Sequence, residues 1–220
     1  LNGIKIDFGD REIAVISVKK FVTGPIETNT YLIWNEKRKG LVIDPSSGCD
    51  SLVRLVGEER IKLEAILLTH AHFDHLLGIP EILAAAGALP VYVHGVDAPA
   101  LSDAQLNGSQ WFGHSFTFTG PIKLIEEGRQ RIESFDIRVL SVPGHTPGGC
   151  AILIENYCFS GDVLFAGSIG RSDLPGGNGR ELLEGITGKL LVLSDDIIVC
   201  PGHGGRTTIG RERLRNPFLV

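Results

Sequence analysis

The sequence predicts an α/β fold with sheet packed on sheet and helices outside both. Three observations lead there. Short runs rich in Ile, Val and Tyr recur in both halves, separated by turn residues. Each half passes from such runs into helix-like stretches. Hydrophobic residues make up 43% and charged residues 21%, enough apolar surface for a packed core and too little charge for a disordered chain. Periodicity alone also allows one α/β sheet with helices on both faces. At roughly 150 residues per domain, 220 residues make a single domain spanning 1–220.

The elements follow in order. Glu12 to Val18, Thr30 to Trp34 and Gly40 to Ile43 alternate like strands. Asp50 to Val56 carries Leu52, Val53, Leu55 and Val56 at helical spacing. Ala65 to Leu68 is a brief apolar run with polar flanks, which makes it a buried strand. Pro80 to Ala86 is predicted helical, with Pro at an early helical position. Val91 to Val93 returns to strand, and Val96 to Gly120 is expected to form a helix and a long loop that shapes a pocket. Strands are then predicted at Ile132 to Val142, Cys150 to Ile154 and Tyr157 to Ser160. A helix at Arg180 to Leu190 and a strand at Ile197 to Cys200 come next. A last helix, Ile209 to Leu214, has Thr208 as its N-cap and Pro217 as its terminator.

Charge and composition narrow the function. Lys plus Arg number 21 against 26 Asp plus Glu, a formal charge of −5, which argues against nucleic acid or an anionic membrane as partner. No apolar run approaches the ~18 residues of a membrane span. Leu1 to Asp10 lacks a basic segment followed by an apolar core, so a cytoplasmic protein is expected. The four cysteines, Cys49, Cys150, Cys158 and Cys200, are scattered and fit reduced, buried thiols.

The histidines carry the chemistry. Thr69-His70-Ala71-His72-Phe73-Asp74-His75 directly follows the predicted strand Ala65 to Leu68. So many imidazoles beside a carboxylate are costly to bury unless something pairs them. Imidazole nitrogen and carboxylate oxygen suit zinc and iron. In extended backbone, His70 and His72 point the same way and can grip one metal, while a turn at Phe73 aims Asp74 and His75 at a second. Three more segments run from strand into a Gly-containing turn and then a ligand-type residue: Pro143-Gly144-His145, Gly161-Asp162 and Pro201-Gly202-His203. Singly, each reads equally well as an ordinary turn. Together with the first cluster they give more donors than one tetrahedral site needs, and they fit two metals sharing a carboxylate. His94 and His114 match no such position and are read as ordinary histidines.

These motifs resemble the metallo-β-lactamase superfamily, and within it the compact glyoxalase II-like hydrolases. The resemblance runs from Thr28-Asn29-Thr30-Tyr31 to Asn216-Pro217-Phe218 and includes Ile169-Gly170-Arg171-Ser172-Asp173-Leu174-Pro175-Gly176-Gly177. It implies a four-layer αββα sandwich with two mixed sheets and the metals at one edge. It implies that His70, His72 and His145 hold one divalent ion, that Asp74, His75 and His203 hold the other, and that Asp162 bridges them. Zinc is the first expectation, iron or manganese the alternatives. Asp44, at the end of Leu41-Val42-Ile43, would brace the site from behind; Arg171 and Asp173 would form an ion pair at the pocket rim. Asp74 would also act catalytically, accepting a hydrogen bond from a bridging hydroxide that attacks an acyl carbonyl. The presence of His75, with no cysteine in the ligand set, sets the pattern apart from β-lactamases proper.

The implied reaction is hydrolysis of a thioester, S-D-lactoylglutathione or a similar hydroxyacyl thiol ester. No separate C-terminal helical domain of the kind that holds glutathione in full-length glyoxalase II is expected after His203. Two alternatives share the fold: a mononuclear-iron persulfide dioxygenase, and a lactonase or other esterase.

Overall fold

A computed structural model describes residues 15–113 and 115–220. Its first sheet runs in chain order: β1 (Ile16–Thr23), β2 (Thr28–Asn35), β3 (Lys39–Ile43), β4 (Lys62–Leu67), β5 (Val91–His94) and β6 (Ile122–Ile125). Strands β1 to β3 are antiparallel, and β3 to β6 are parallel. Helices α1 (Asp50–Glu58) and α2 (Ile79–Ala86) fill the crossovers that parallel neighbours require.

The second half supplies β7 (Gly128–Ile132), β8 (Phe135–Ser141), β9 (Cys150–Ile154), β10 (Tyr157–Gly161), a small hairpin of β11 (Leu164–Phe165) and β12 (Ser168–Ile169), then β13 (Ile198–Pro201) and β14 (Thr207–Thr208). The second sheet has the order β14-β13-β10-β9-β8-β7, with β10 and β13 parallel and the other pairs antiparallel. Helix α3 (Gly179–Gly185) precedes β13, and α4 (Ile209–Arg215) follows β14.

Neighbouring side chains show how the layers stack. Tyr31, Ile33, Leu41, Ile43 and Leu67 pack with Ile137, Val139, Ile152, Phe159 and Cys200 between the sheets. The residues alternating with them in the first sheet, Leu32, Val42, Ile66 and Leu68, face outward onto Leu52 of α1 and Ile79 and Ile82 of α2. In the second sheet Ala151, Leu153, Cys158 and Val199 face outward onto Leu182 of α3 and Ile209 of α4. A strand buried on both faces reads as a continuous apolar run. Each Val, Leu, Ile or Phe so buried contributes about 1.5–3 kcal/mol. The arrangement is the four-layer αββα sandwich, with two mixed sheets.

Several boundaries differ from the sequence expectation. The first strand runs from Ile16 to Thr23, beyond Val18, while Glu12 to Ala14 lie outside the described residues. The run Ile132 to Val142 is divided: β7 ends at Ile132, and a tight turn with Glu133 at φ +51° leads into β8. Edge strand β6 has no counterpart among the predicted strands; its Ile122 and Leu124 are exposed. The predicted helix Arg180 to Leu190 is α3 followed by a π-helical turn, Ile186–Leu190. Within Val96 to Gly120 the described residues form two 3₁₀ turns, Ala98–Ser102 and Ser109–Phe112. Thr208 does cap α4: its Oγ1 accepts from Arg211 N at 3.2 Å.

Candidate metal centre

The pairing scheme gathers the ligand-bearing turns at one edge. β3 and β4 are parallel and end together at Asp44 and Thr69-His70. β10 and β13 are parallel and end together at Gly161-Asp162 and Gly202-His203. β8 is antiparallel to β9, so His145 lies where β9 begins. The two sheets are joined at this edge. Cys150 N donates to Thr69 O at 2.9 Å, and Asn29 N donates to Gly202 O at 2.6 Å. The Tyr31 hydroxyl and Asn29 Nδ2 both donate to Pro201 O, at 2.7 and 2.8 Å.

All seven ligand candidates come together there. The donor atoms of His70, His72 and His145 lie within 4.8 Å of one another. So do those of Asp74, His75 and His203, and those of His70, His75 and Asp162. His72 Nδ1 is 2.9 Å from His145 Nε2. Asp162 reaches both groups: Oδ2 is 3.6 Å from His145 Nε2 and 3.5 Å from His203 Nε2, and Oδ1 is 3.5 Å from His75 Nε2. Asp74 Oδ2 lies 3.1 Å from His75 Nε2 and 3.3 Å from His203 Nε2.

The donor set fits divalent cations. His70 Nε2, His75 Nε2 and Asp162 Oδ1 are buried and make no hydrogen bond. Buried polar atoms are rarely left so, and a cluster of them pointed at one space is what a cation would satisfy. Close approach of the backbone makes the space. A Cβ at Gly202 would stand 2.1 Å from Asp162 Oδ1 and 2.7 Å from His75 Cε1. Gly161, at φ +48°, could carry no Cβ without meeting Thr69 Oγ1 at 2.1 Å.

The other ring nitrogens are held from behind. Asp44, at φ +50°, a conformation Asp tolerates better than most residues, turns its carboxylate under the cluster. Its Oδ1 accepts from Thr69 N at 2.8 Å and its Oδ2 from Thr69 Oγ1 at 2.7 Å. The same Oδ2 lies 3.1 Å from His75 Nδ1. Because the Thr69 hydroxyl spends its proton on Asp44, it can only accept from His70 Nδ1, 3.1 Å away. One carboxylate therefore favours a proton on Nδ1 of both His70 and His75; the His70 Nε2 lone pair is left toward the centre, and His75 would give up its Nε2 proton on binding an ion. His145 Nδ1 bonds Arg171 O at 2.8 Å. The Arg171 side chain instead makes a two-pronged, exposed ion pair with Asp173, at 2.7 and 2.8 Å. Arg171 thus reaches His145 through its backbone.

Three supporting residues had no signal of their own in the sequence. Thr28 Oγ1 donates to Asp74 Oδ2 at 2.7 Å. Thr69 relays Asp44 to His70, as above. Asp97, 3% exposed, accepts from Ala71 N at 3.1 Å, Thr146 Oγ1 at 2.7 Å and Gly148 N at 2.6 Å. It ties the His70-Ala71-His72 segment to the His145 loop. Only the Thr28-Asn29-Thr30-Tyr31 motif hinted at the first of these. His94 sits apart, 3.3 Å from Ser141 Oγ; His114 lies outside the described residues.

Electrostatics separate the imidazoles. Burial holds His70 far below its ordinary range, with neighbouring histidines adding to it. Burial and His145 press His72 down to about 3. His75 goes the other way: burial opposes its charge, but Asp74, Asp44 and Asp162 outweigh burial and raise it well above normal. Burial pushes Asp74 up, yet His75 and hydrogen bonds from His203 and His75 hold its carboxyl well below the usual range.

An αββα sandwich with clustered histidines and aspartates at one edge defines a class, and comparison agrees. The family model of the metallo-beta-lactamase superfamily matches residues 23–203, and the chain belongs to that superfamily. Hydroxyacylglutathione hydrolase GloC of Haemophilus influenzae is 34% identical over 212 residues, covering 94% of this chain and 97% of that protein. The crystal structure of BLEG-1 B3 metallo-beta-lactamase superposes with a TM-score of 0.88 at 39% identity, over 93% of this chain and 100% of that one. That of TTHA1623 in a di-iron-bound form gives 0.79 at 36%, over 91% and 100%. Among the described residues, no helix is long and apolar enough to cross a membrane.

Proposed function

We propose that the protein is a dinuclear metal-dependent thioester hydrolase acting on S-D-lactoylglutathione or a related hydroxyacyl thiol ester. The observation that carries this reading is the pair of ligand groups, His70/His72/His145 and Asp74/His75/His203, with Asp162 within reach of both. The GloC likeness supports the substrate, and the di-iron TTHA1623 likeness supports two ions. Zinc, iron and manganese all suit the donors.

Two bound ions would supply a water of lowered pKa and a Lewis acid for the acyl carbonyl. The chain's part is to hold the donors ready. Asp44 and Thr69 fix the tautomers of His75 and His70, Arg171 O fixes that of His145, and Thr28 orients Asp74. Asp74 remains ionised across the neutral range and is assigned to accept the hydrogen bond of the attacking water. The water oxygen bonds to the acyl carbon and the C–S bond breaks. The thiolate leaves with the bonding pair; of the water's two protons one ends on the thiol and the other passes to solvent, leaving a carboxylate. A thiolate leaves readily, so a thioester asks little of a proton donor.

BLEG-1 likeness favours a second reading, β-lactam hydrolysis with the same nucleophile. A persulfide dioxygenase needs one iron and leaves the second ligand group without a task. One panel on metal-loaded protein separates the three. Thiol release from S-D-lactoylglutathione is expected. Opening of a chromogenic cephalosporin without thioester cleavage, or oxygen uptake with glutathione persulfide, would overturn the thioester reading.

A further inference from the structure

A cavity of about 150 Å³ opens beside the metal cluster, with His72 in its wall. Val96, Pro99, Leu106 and Pro175 supply its apolar sides. Val96 and Leu106 are 58% and 53% exposed, so large apolar side chains stand uncovered at its mouth. Its polar side chains are already engaged. Asp97 accepts three hydrogen bonds, and the Thr146 hydroxyl donates one of them. His72 is directed at His145 in the metal cluster. Among the described residues no lysine or arginine lines the cavity.

We propose that this cavity receives the acyl side chain of the substrate and selects a neutral aliphatic one. The inference rests on the thioester reading above. Position brings either arm within reach: the acyl substituent and the thiol sulfur are each one bond from the carbonyl that must meet the ions, and the cavity adjoins His72 of that cluster. Chemistry excludes the other arm, since glutathione carries carboxylates and an ammonium that this lining cannot pair. At about 150 Å³ the cavity has room for a short acyl chain.

The test is a series of glutathione thioesters sharing one thiol: acetyl, butyryl and hexanoyl, with S-D-lactoyl alongside. Each buried methylene contributes about 0.8 kcal/mol, about fourfold, so butyryl should exceed acetyl by about 15-fold in kcat/KM. Val96→Glu and Leu106→Ser change exposed positions and should collapse the hexanoyl-to-acetyl ratio to within about threefold of unity. Calorimetry of the carboxylate products provides a reading independent of turnover. Hexanoate should bind more tightly than acetate to the unsubstituted protein, and equally to Val96→Glu. If S-D-lactoylglutathione is cleaved but kcat/KM is flat along the series, the acyl pocket is overturned and the hydrolase reading stands. If no thioester is cleaved, both fall.

Discussion

Replacing Asp44 by Asn preserves shape and removes one acceptor. In the native site, Oδ2 accepts from Thr69 Oγ1 at 2.7 Å and lies 3.1 Å from His75 Nδ1. Asn keeps Oδ1 for Thr69 N, 2.8 Å away, and puts an NH₂ where Oδ2 was. That NH₂ donates, so Thr69 Oγ1 must accept from it and turn its own proton toward His70 Nδ1. His75 Nδ1 likewise meets a donor. Both rings are pushed to the Nε2–H form, whose Nε2 has no lone pair for a metal. Loss of such an outer contact costs about 10–100-fold in metal affinity, or about 1.4–2.8 kcal/mol. Because the proposed assignment gives His70 to one ion and His75 to the other, both ions should weaken. The assay is competition with a chromogenic chelator, alongside Thr69→Val, which breaks the His70 relay and spares the Asp44–His75 contact. The ordering expected is Asp44→Asn weaker than Thr69→Val, and Thr69→Val weaker than the unsubstituted protein. An Asp44→Asn variant with unchanged affinity for both ions would refute the tautomer argument.

Three further outcomes follow from the same geometry. Gly202→Ala forces a methyl against Asp162 Oδ1 and His75 Cε1, and metal content should drop below one ion per chain by elemental analysis while the circular dichroism of the fold is retained. Asp97→Ala leaves Ala71 N, Gly148 N and the Thr146 hydroxyl without their acceptor; at about 1 kcal/mol each, thermal melting should fall by about 6–12 °C. In metal-free protein burial and His145 keep His72 neutral down to about 3, whereas the unfolded chain protonates it near the ordinary histidine value of 6.5. Its folded pKa is depressed, so its stability contribution is present above about 6.5 and is lost as pH falls toward 3. Urea melts at pH 4–7 should show His72→Gln with a pH slope shallower by up to about 1.4 kcal/mol per unit.

Local chemistry was legible where it follows local pattern. The run Ala65 to Leu68 announced β4, and the His-x-His-x-Asp-His segment after it lies at that strand's end. Glycines at 144, 161 and 202 marked the turns that deliver His145, Asp162 and His203. Thr208 announced its cap as a capping residue directly before the run Ile209 to Leu214, and its Oγ1 accepts from Arg211 N. What was not legible depends on partners far along the chain. Asp97 earns its place from Ala71, 26 positions away, and Gly148, 51 away, so nothing beside it in the sequence marks it. Thr28 meets Asp74 across 46 positions. The division of Ile132 to Val142 turns on one positive-φ residue, Glu133, which is neither Gly nor Asn and so gives no turn signal. The Arg171–Asp173 pair was expected, but the bond from His145 to the Arg171 carbonyl was not, because a backbone acceptor carries no residue identity.

The central claim is that seven side chains hold two ions that share Asp162. The most direct measurement is metal stoichiometry by elemental analysis of the purified protein and of Asp162→Ala and His145→Ala, each with S-D-lactoylglutathione turnover on the same sample. About two ions per chain, with thiol release, are expected in the unsubstituted protein. Lowered metal content and abolished turnover are expected in both variants, with the fold intact. Full activity in either variant, or one ion per chain in an active protein, would contradict the claim.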